Sequence, residues 1–276
     1  MKEDCGKMET IPPAVTAGLA AMLLALVLAV VRVEWAAVPL FIFVVLCVAA
    51  AFHPEYGFIL PVVSRGRTGR SAVALTFDDG PDPATTPVLL QLLDMHGVKG
   101  AFFVTGERAG QYGHLISAIL ERGHDIGNHS YSHDPFLMLR RTERLLREIA
   151  STQTLLHRFG IAPLAFRPPV GIANSKLANV LRRVGVYCVI FSCRAGDFGN
   201  RRIHGLAEKI LKKVKADDII LLHDVRTRNV GGVERWLHEV DLILVGLKNK
   251  RLEVIPLSEL IARPVMVKLD SLRAEE

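Results

Sequence analysis

Apolar and polar positions divide the chain into two unequal parts. Ala14–Val31 and Trp35–Phe52 are runs without a charged residue, and only Arg32-Val33-Glu34 separates them. Each is close to the ~20 apolar residues a helix needs to cross a bilayer. Pro12-Pro13 precedes the first run, and Trp35 suits an interfacial turn. The pattern predicts a two-helix transmembrane hairpin within residues 11–63, spans at about 14–31 and 35–52, behind an N-terminal tail of residues 1–10. A cleaved signal peptide fits less well, because the first run is long and Glu3, Asp4 and Glu9 stand before it. A buried hairpin of a soluble protein is the remaining reading.

From Ser64 onward the period alternates between strand and helix. Strands are predicted at Ser71–Phe77, Ala101–Val104, Asp125–Asn128, Leu164–Arg167, Val186–Ser192, Asp218–Leu222 and Leu252–Ile255. Helices are predicted at Pro87–Met95, His114–Arg122, Thr142–Phe159, Leu177–Val184, Leu206–Val214 and Val233–Leu247. The long helix at Thr142 carries Leu145, Ile149, Leu155 and Leu156 on its apolar side. Strands and helices in turn argue for an α/β fold with a parallel barrel, not an all-α or all-β one. Residues 64–276 are read as one catalytic domain, and 276 residues accommodate such a barrel plus the hairpin.

Charge refines this picture. The chain holds 34 basic and 28 acidic residues, and its excess of positive charge falls in the domain after Ser64. A basic surface favours anionic partners, membrane lipid among them. No base-reading motif is present and the basic residues are not interleaved with aromatics, so nucleic acid is not an expected partner. Arg65, Arg67 and Arg70 follow the second span, Lys2 and Lys7 precede the first, and only Arg32 lies in the turn. The positive-inside rule then puts the domain in the cytoplasm; a single span would put it outside. Cys5, Cys47, Cys188 and Cys193 form no CxxC pair and suggest no disulfide framework.

The residues able to do chemistry fall at the C-terminal ends of predicted strands, the rim where β/α barrels build active sites. Asp78 and Asp79 follow the first strand, His129 and His133 the third, and Asp197 the fifth. Arg167 ends the fourth and His223 the sixth. Two histidines at i,i+4 with one carboxylate make a zinc-like ligand set that leaves room for water. Alone, an HxxxH is most often a surface pair; Asp79 at a neighbouring strand end changes that balance. Adjacent aspartates diverge after a strand, so one can hold metal while the other serves as general base; the bland alternative for Asp-Gly-Pro is a turn. A buried Arg167 needs a carboxylate, and Asp78 is the candidate. His223 is either a structural cap or a general acid.

Taken together these residues resemble the NodB-type polysaccharide deacetylases, carbohydrate esterase family four, over about Ser71 to Ile261. Thr76-Phe77-Asp78-Asp79-Gly80-Pro81 matches that family's TFDDGP string, and His129-Ser-Tyr-Ser-His133 its HSxxH. Arg167-Pro168-Pro169, Asp197-Phe198 and Leu221-Leu222-His223 are similar to three weaker motifs. The resemblance implies a distorted, incomplete (β/α) barrel that removes acyl groups from amino sugars in a polysaccharide, oligosaccharide or lipid-linked glycan. It implies that Asp79, His129 and His133 hold a divalent metal, zinc first and Co2+, Ni2+ or Mn2+ as alternatives. It implies Asp78 as base, Arg167 as its orienting partner, His223 as acid and Asp197 as the residue tuning His223. Leu221 would line the acyl pocket, the Val170 N–H would join the oxyanion hole, and Pro168 would belong to the same substrate and oxyanion region. Three departures bear on substrate: Val170 where an aromatic residue is usual, Phe198 for tryptophan, and Arg194 where an acid is frequent. Alternatives are a deformylase of a lipid-linked formamido sugar, and a membrane-tethered glycan-binding pseudoenzyme.

Overall fold

The computed structural model describes residues 12–227 and 231–269. The expected tail at 1–10, with Lys2, Cys5 and Lys7, lies outside the described residues.

Helices α1 (Pro13–Val31) and α2 (Ala37–Phe52) form the hairpin, joined by a 3-10 turn at Val33–Ala36 that carries Trp35. Their apolar side chains point outward all round: Leu23, Val27 and Phe41 are each at least 63% exposed. Helices that are apolar on every face call for a non-aqueous neighbour. Pro13–Val31 and, counted with the 3-10 turn, Val33–Phe52 are long and apolar enough to cross a membrane. They cross closely at Gly18, where a Cβ would meet the Phe43 ring at 3.0 Å.

The rest of the described chain is a curled parallel sheet wrapped by helices. Its elements run β1 (Val62–Val63), β2 (Ala72–Asp78), α3 (Thr86–Met95), β3 (Ala101–Val104), α4 (Gly106–Gln111), α5 (Gly113–Glu121) and β4 (Asp125–Asn128). Then come α6 (Thr142–His157), β5 (Ile161–Pro163), β6 (Ala165–Phe166), α7 (Ser175–Val184), β7 (Tyr187–Val189) and β8 (Cys193–Arg194). The series ends with α8 (Leu206–Lys213), β9 (Ile219–His223), α9 (Gly232–Asn249), β10 (Glu253–Val254), α10 (Leu257–Leu260) and β11 (Met266–Lys268). The strand order is β1-β7-β6-β4-β3-β2-β9-β8, with β10 beside the start of β2 and β11 paired with β5 in a separate small sheet.

That order makes the sheet an incomplete barrel. β7 lies at one side and β8 at the opposite edge, yet only residues 190–192 connect them. So short a link spans at most about 14 Å, so the two edges must curl toward each other. Arg65, just past β1, forms a bridge with Asp218 just before β9, across the remaining gap.

Strand alternation sorts the core. On β2, Val73, Leu75 and Phe77 face the outer helices and pack with Leu89, Ile116 and Trp236. Ala72 and Ala74 face inward with Ala101, Phe103 and Ala165. A second outer cluster joins Phe166 and Cys188 to Leu145, Ile149 and Leu177, so Cys188 and Cys193 are buried in different clusters. Asn174 caps α7 by accepting from the Leu177 N–H at 3.1 Å, and Gly185 ends it at φ 77°.

The α/β barrel expected from the sequence is present, with corrections at its seams. The strand expected at Val186–Ser192 stops at Val189, because the chain must leave it to cross to the other edge. β1, β5, β8, β11, α4 and α10 were not anticipated; β1 and β8 are two residues each, too short to show a period.

Candidate active site and metal centre

Alternation along β2 brings the inward Thr76 and Asp78 level with Leu221 and His223 of β9. Asp78 is 3% exposed and Arg167 fully buried. The Arg167 Nη1 donates to Asp78 Oδ1 at 2.7 Å and to Thr76 Oγ1 at 2.8 Å, and Nη2 donates to the Ile190 carbonyl at 2.9 Å. Its guanidinium lies 3.9 Å from the Phe103 ring centroid. The ion pair expected between Arg167 and Asp78 is therefore formed. Charge-assisted bonds of this kind fix the Asp78 rotamer, leaving Oδ2 toward the rim, 3.8 Å from His129 Nε2.

Asp79 takes a left-handed backbone (φ 72°), which turns its carboxylate away from Asp78. Its Oδ1 lies 3.4 Å from His129 Nε2 and 3.2 Å from His133 Nε2. One donor atom from each of the three residues falls within 4.8 Å of the others. His129 Nδ1 donates to the Arg167 carbonyl at 2.8 Å, which leaves Nε2 as the lone-pair side of the neutral ring. Asp79 Oδ1 is buried with no hydrogen-bond donor. The lone pairs of Asp79 Oδ1 and His129 Nε2 thus face one another across a small space with His133 Nε2 beside them, and a cation there would satisfy all three. Burial opposes a charged His129, but Asp78 and Asp79 outweigh it and raise its pKa. Burial would likewise raise Asp79, but the His129 contact and the fields of His223 and His133 carry it well below the usual carboxylate range. These residues fit a divalent cation.

The loop bearing the histidines is held from behind. Glu148 of α6, 8% exposed, accepts the N–H of Tyr131 at 3.1 Å, the N–H of Ser132 at 2.8 Å and the Ser132 hydroxyl at 2.9 Å. Asn128 Oδ1 accepts the Ser130 N–H at 2.9 Å. Ser130 and His133 take left-handed backbone at φ 65° and 52°. The sequence reading missed Glu148, although an acid between Leu145 and Ile149 on an apolar helix face was a visible signal.

Across the rim, His223 Nδ1 meets Asp197 Oδ2 at 2.6 Å. Burial disfavours a charged His223, but the Asp197 bond and charge, with Asp79 and Asp78 farther off, raise its pKa to about 9. Asn200, also missed, donates from Nδ2 to the carbonyls of His223 at 2.9 Å and Val225 at 2.7 Å and pins the strand end. Asp224 was not anticipated either. It accepts the hydroxyls of Thr85 and Thr86 at 2.7 and 2.6 Å, and its Oδ2 would lie 2.7 Å from a Cβ at Gly80. Burial, with Asp82 nearby, raises its pKa to about 7.

Of the remaining expected residues, Leu221 is buried on the inner face, level with Thr76, and Pro168 is buried after β6. Val170 is 52% exposed at φ 53°, a conformation that β-branched residues seldom adopt.

A curled parallel half-barrel with an Asp-His-His cluster, a second aspartate locked by arginine and an Asp–His pair defines the class of carbohydrate N-deacetylase barrels. Residues 65–189 match the family model described as polysaccharide deacetylase. A peptidoglycan-N-acetylglucosamine deacetylase of Bacillus cereus is 32% identical over 193 residues, covering 68% of this chain and 87% of the relative. A chitooligosaccharide deacetylase of Azorhizobium caulinodans is 34% identical over 168 residues, covering 60% and 80%. The chain spans 42% of the length of a Listeria monocytogenes relative. Among solved structures, the Bc1960 peptidoglycan N-acetylglucosamine deacetylase superposes with a TM-score of 0.67 at 29% identity, over 74% of this chain and 94% of that one. The chain belongs to the polysaccharide deacetylase family.

Proposed function

We propose that this protein hydrolyses the N-acetyl group of an amino sugar within a glycan and requires a divalent cation, zinc foremost, at Asp79, His129 and His133. That cation would supply Lewis acidity to the acyl oxygen and to the attacking water. Asp78 is the general base. Its Oδ1 is occupied by Arg167, and its Oδ2 takes the proton of the water that adds to the amide carbon. The Val170 N–H shares in binding the oxygen of the tetrahedral species. His223 gives a proton to the departing nitrogen, the C–N bond breaks, and acetate and a free amine result. Asp197 on Nδ1 keeps the other ring nitrogen toward the substrate and raises the pKa of His223 to about 9, so that His223 is protonated at neutral pH. Pro168 and Leu221 bound the acyl group.

The observation carrying this reading is the division of labour between adjacent aspartates: Asp78 tied to a buried arginine, Asp79 facing two imidazoles without a donor. A glycan-binding pseudoenzyme would have no use for both. The helices α1 and α2 would serve as the membrane anchor. Arg65, Arg67 and Arg70 after the second span count toward the positive-inside rule whether or not they are paired in the fold, and on that count the domain faces the cytoplasm.

The full chain in detergent should release acetate and free amine in equal amounts from an N-acetylglucosamine oligomer. A chelator should abolish this release, and added zinc should restore it. Unchanged release after verified metal removal would refute the metal requirement.

A further inference from the structure

A groove of about 390 Å³ lies where the hairpin meets the barrel rim. Phe52 and Tyr56 form its hairpin side, and Val170, Phe191 and Arg194 its barrel side. Its volume falls within the roughly 300–1,000 Å³ of small-molecule sites.

Three observations say what would occupy it. The first is its level. The Ala173 N–H donates to the Ala51 carbonyl at 3.4 Å, and Ala51 lies in the last turn of α2. Leu60, 2% exposed just beyond that helix, packs with Leu137 and Ala173. The rim loop after Arg167 is thus fastened within one helical turn of the end of the apolar hairpin. With α2 in a bilayer, that loop sits at headgroup depth.

The second is charge. Two arginines and one carboxylate, Glu55, line the groove, and Glu55 lies 3.1 Å from His53 Nδ1. Arg65 is neutralised by Asp218 at 2.7 Å. Arg194 is exposed, lies 5.4 Å from the Phe191 ring centroid, and has no carboxylate partner among the described residues. A planar guanidinium held on an aromatic ring suits a phosphate.

The third is continuity. Val170 lines the groove and also stands three residues from Arg167, whose carbonyl and guanidinium hold His129 and Asp78. A ligand in the groove therefore reaches the reacting centre without leaving the surface.

We infer that this groove holds the phosphate linkage of a membrane-anchored amino-sugar substrate, its lipid tail along Phe52 and Tyr56, its phosphate at Arg194 and its sugar over Val170. The inference rests on the deacetylase reading and adds a substrate class to it.

Two synthetic substrates test it: N-acetylglucosamine joined to a decyl chain through a phosphodiester, and the same sugar and chain without phosphate. Each is offered to the full chain in neutral-lipid nanodiscs, and the ratio of their kcat/KM values is read. Loss of one charge-assisted contact in Arg194→Gln should lower that ratio about 10-fold or more, with partial recovery in Arg194→Lys. A ratio the same as wild type in Arg194→Gln overturns the assignment. Dodecyl phosphate binding, measured by calorimetry, should weaken in parallel in the same variant, and equal binding likewise overturns it. If neither substrate is hydrolysed, the deacetylase reading fails, and the binding measurement alone decides the groove. Adding phosphatidylglycerol to the nanodiscs should leave the wild-type ratio unchanged. Collapse of the ratio would instead assign the groove to bulk lipid headgroups.

Discussion

The two ends of the barrel interior are made of opposite materials. Near the start of the strands, Ala72, Ala74, Ala101 and Ala165 leave space that Ile255, Leu257, Leu260 and Val265 fill, all buried. Near the strand ends the interior is charged: Asp78, His129 and Arg167 are no more than 3% exposed. The floor is a plug of interchangeable apolar volume. The rim is a set of mutual obligations, in which each buried charge is tolerable only because a partner is in place. Backbone leans the same way: of nine non-glycine residues with left-handed φ among the described residues, Asp79, Ser130, His133, Val170, Phe198 and Asn200 belong to rim loops, and Asp217, Arg251 and Ala262 lie at the other end. Strain of this kind persists where surrounding structure over-determines it, and it gathers at functional sites.

Substitutions at the two ends should therefore fail differently. The largest effect is expected from Arg167→Met. It strands the Asp78 carboxylate and frees the Ile190 carbonyl and Thr76 hydroxyl, so about 3–5 kcal/mol of stability should be lost together with activity. Denaturant unfolding measures the first and acetate release the second; a stable, active variant would erase the contrast. At the floor, Leu260→Ala should cost a smaller ~3 kcal/mol by leaving a cavity. Under conditions where it remains folded, its kcat/KM should stay near that of wild type. Loss of turnover in the folded variant would mean that floor and rim are coupled.

The smallest effect per unit of pH sharpens the comparison with a titratable group outside the site. His124 is 1% exposed, and its Nδ1 accepts the Gly100 N–H at 3.0 Å, so the ring cannot be protonated there without losing that bond. Burial, reinforced by Lys99 and Arg122, holds its pKa at about 4. The unfolded chain binds the proton near the ordinary value of about 6.5, so the fold is penalised as pH drops below that and until it passes the folded pKa. Stability should fall through this window by at most about 1.4 kcal/mol per pH unit on account of His124. The difference in slope between wild type and His124→Gln isolates the contribution; identical slopes would contradict it.

The rim was legible in the sequence because its chemistry is spelled by residue type at strand ends. The pairing of Arg167 with Asp78 followed from the cost of burying an arginine, and the gathering of Asp79, His129 and His133 from their places after neighbouring strands. What escaped was support. Asn200 and Asp224 act through backbone groups and hydroxyls far away in sequence, and nothing local marks such partners; Glu148 was marked as an acid on an apolar helix face, but not by what it holds. The left-handed rim residues escaped for a related reason: a valine at φ 53° carries no glycine to announce it. The seams escaped because two-residue strands are set by closure of the sheet and not by local pattern.

The central claim, that Asp78 and Asp79 do different work, is tested most directly by comparing Asp78→Asn with Asp79→Asn for bound zinc and for acetate release. The account predicts that Asp78→Asn keeps the metal yet loses roughly 10²-fold or more in kcat, as removal of a general base requires. Asp79→Asn should lose metal and activity together. Full activity in Asp78→Asn, or loss of metal from it while Asp79→Asn retains its own, would contradict the account.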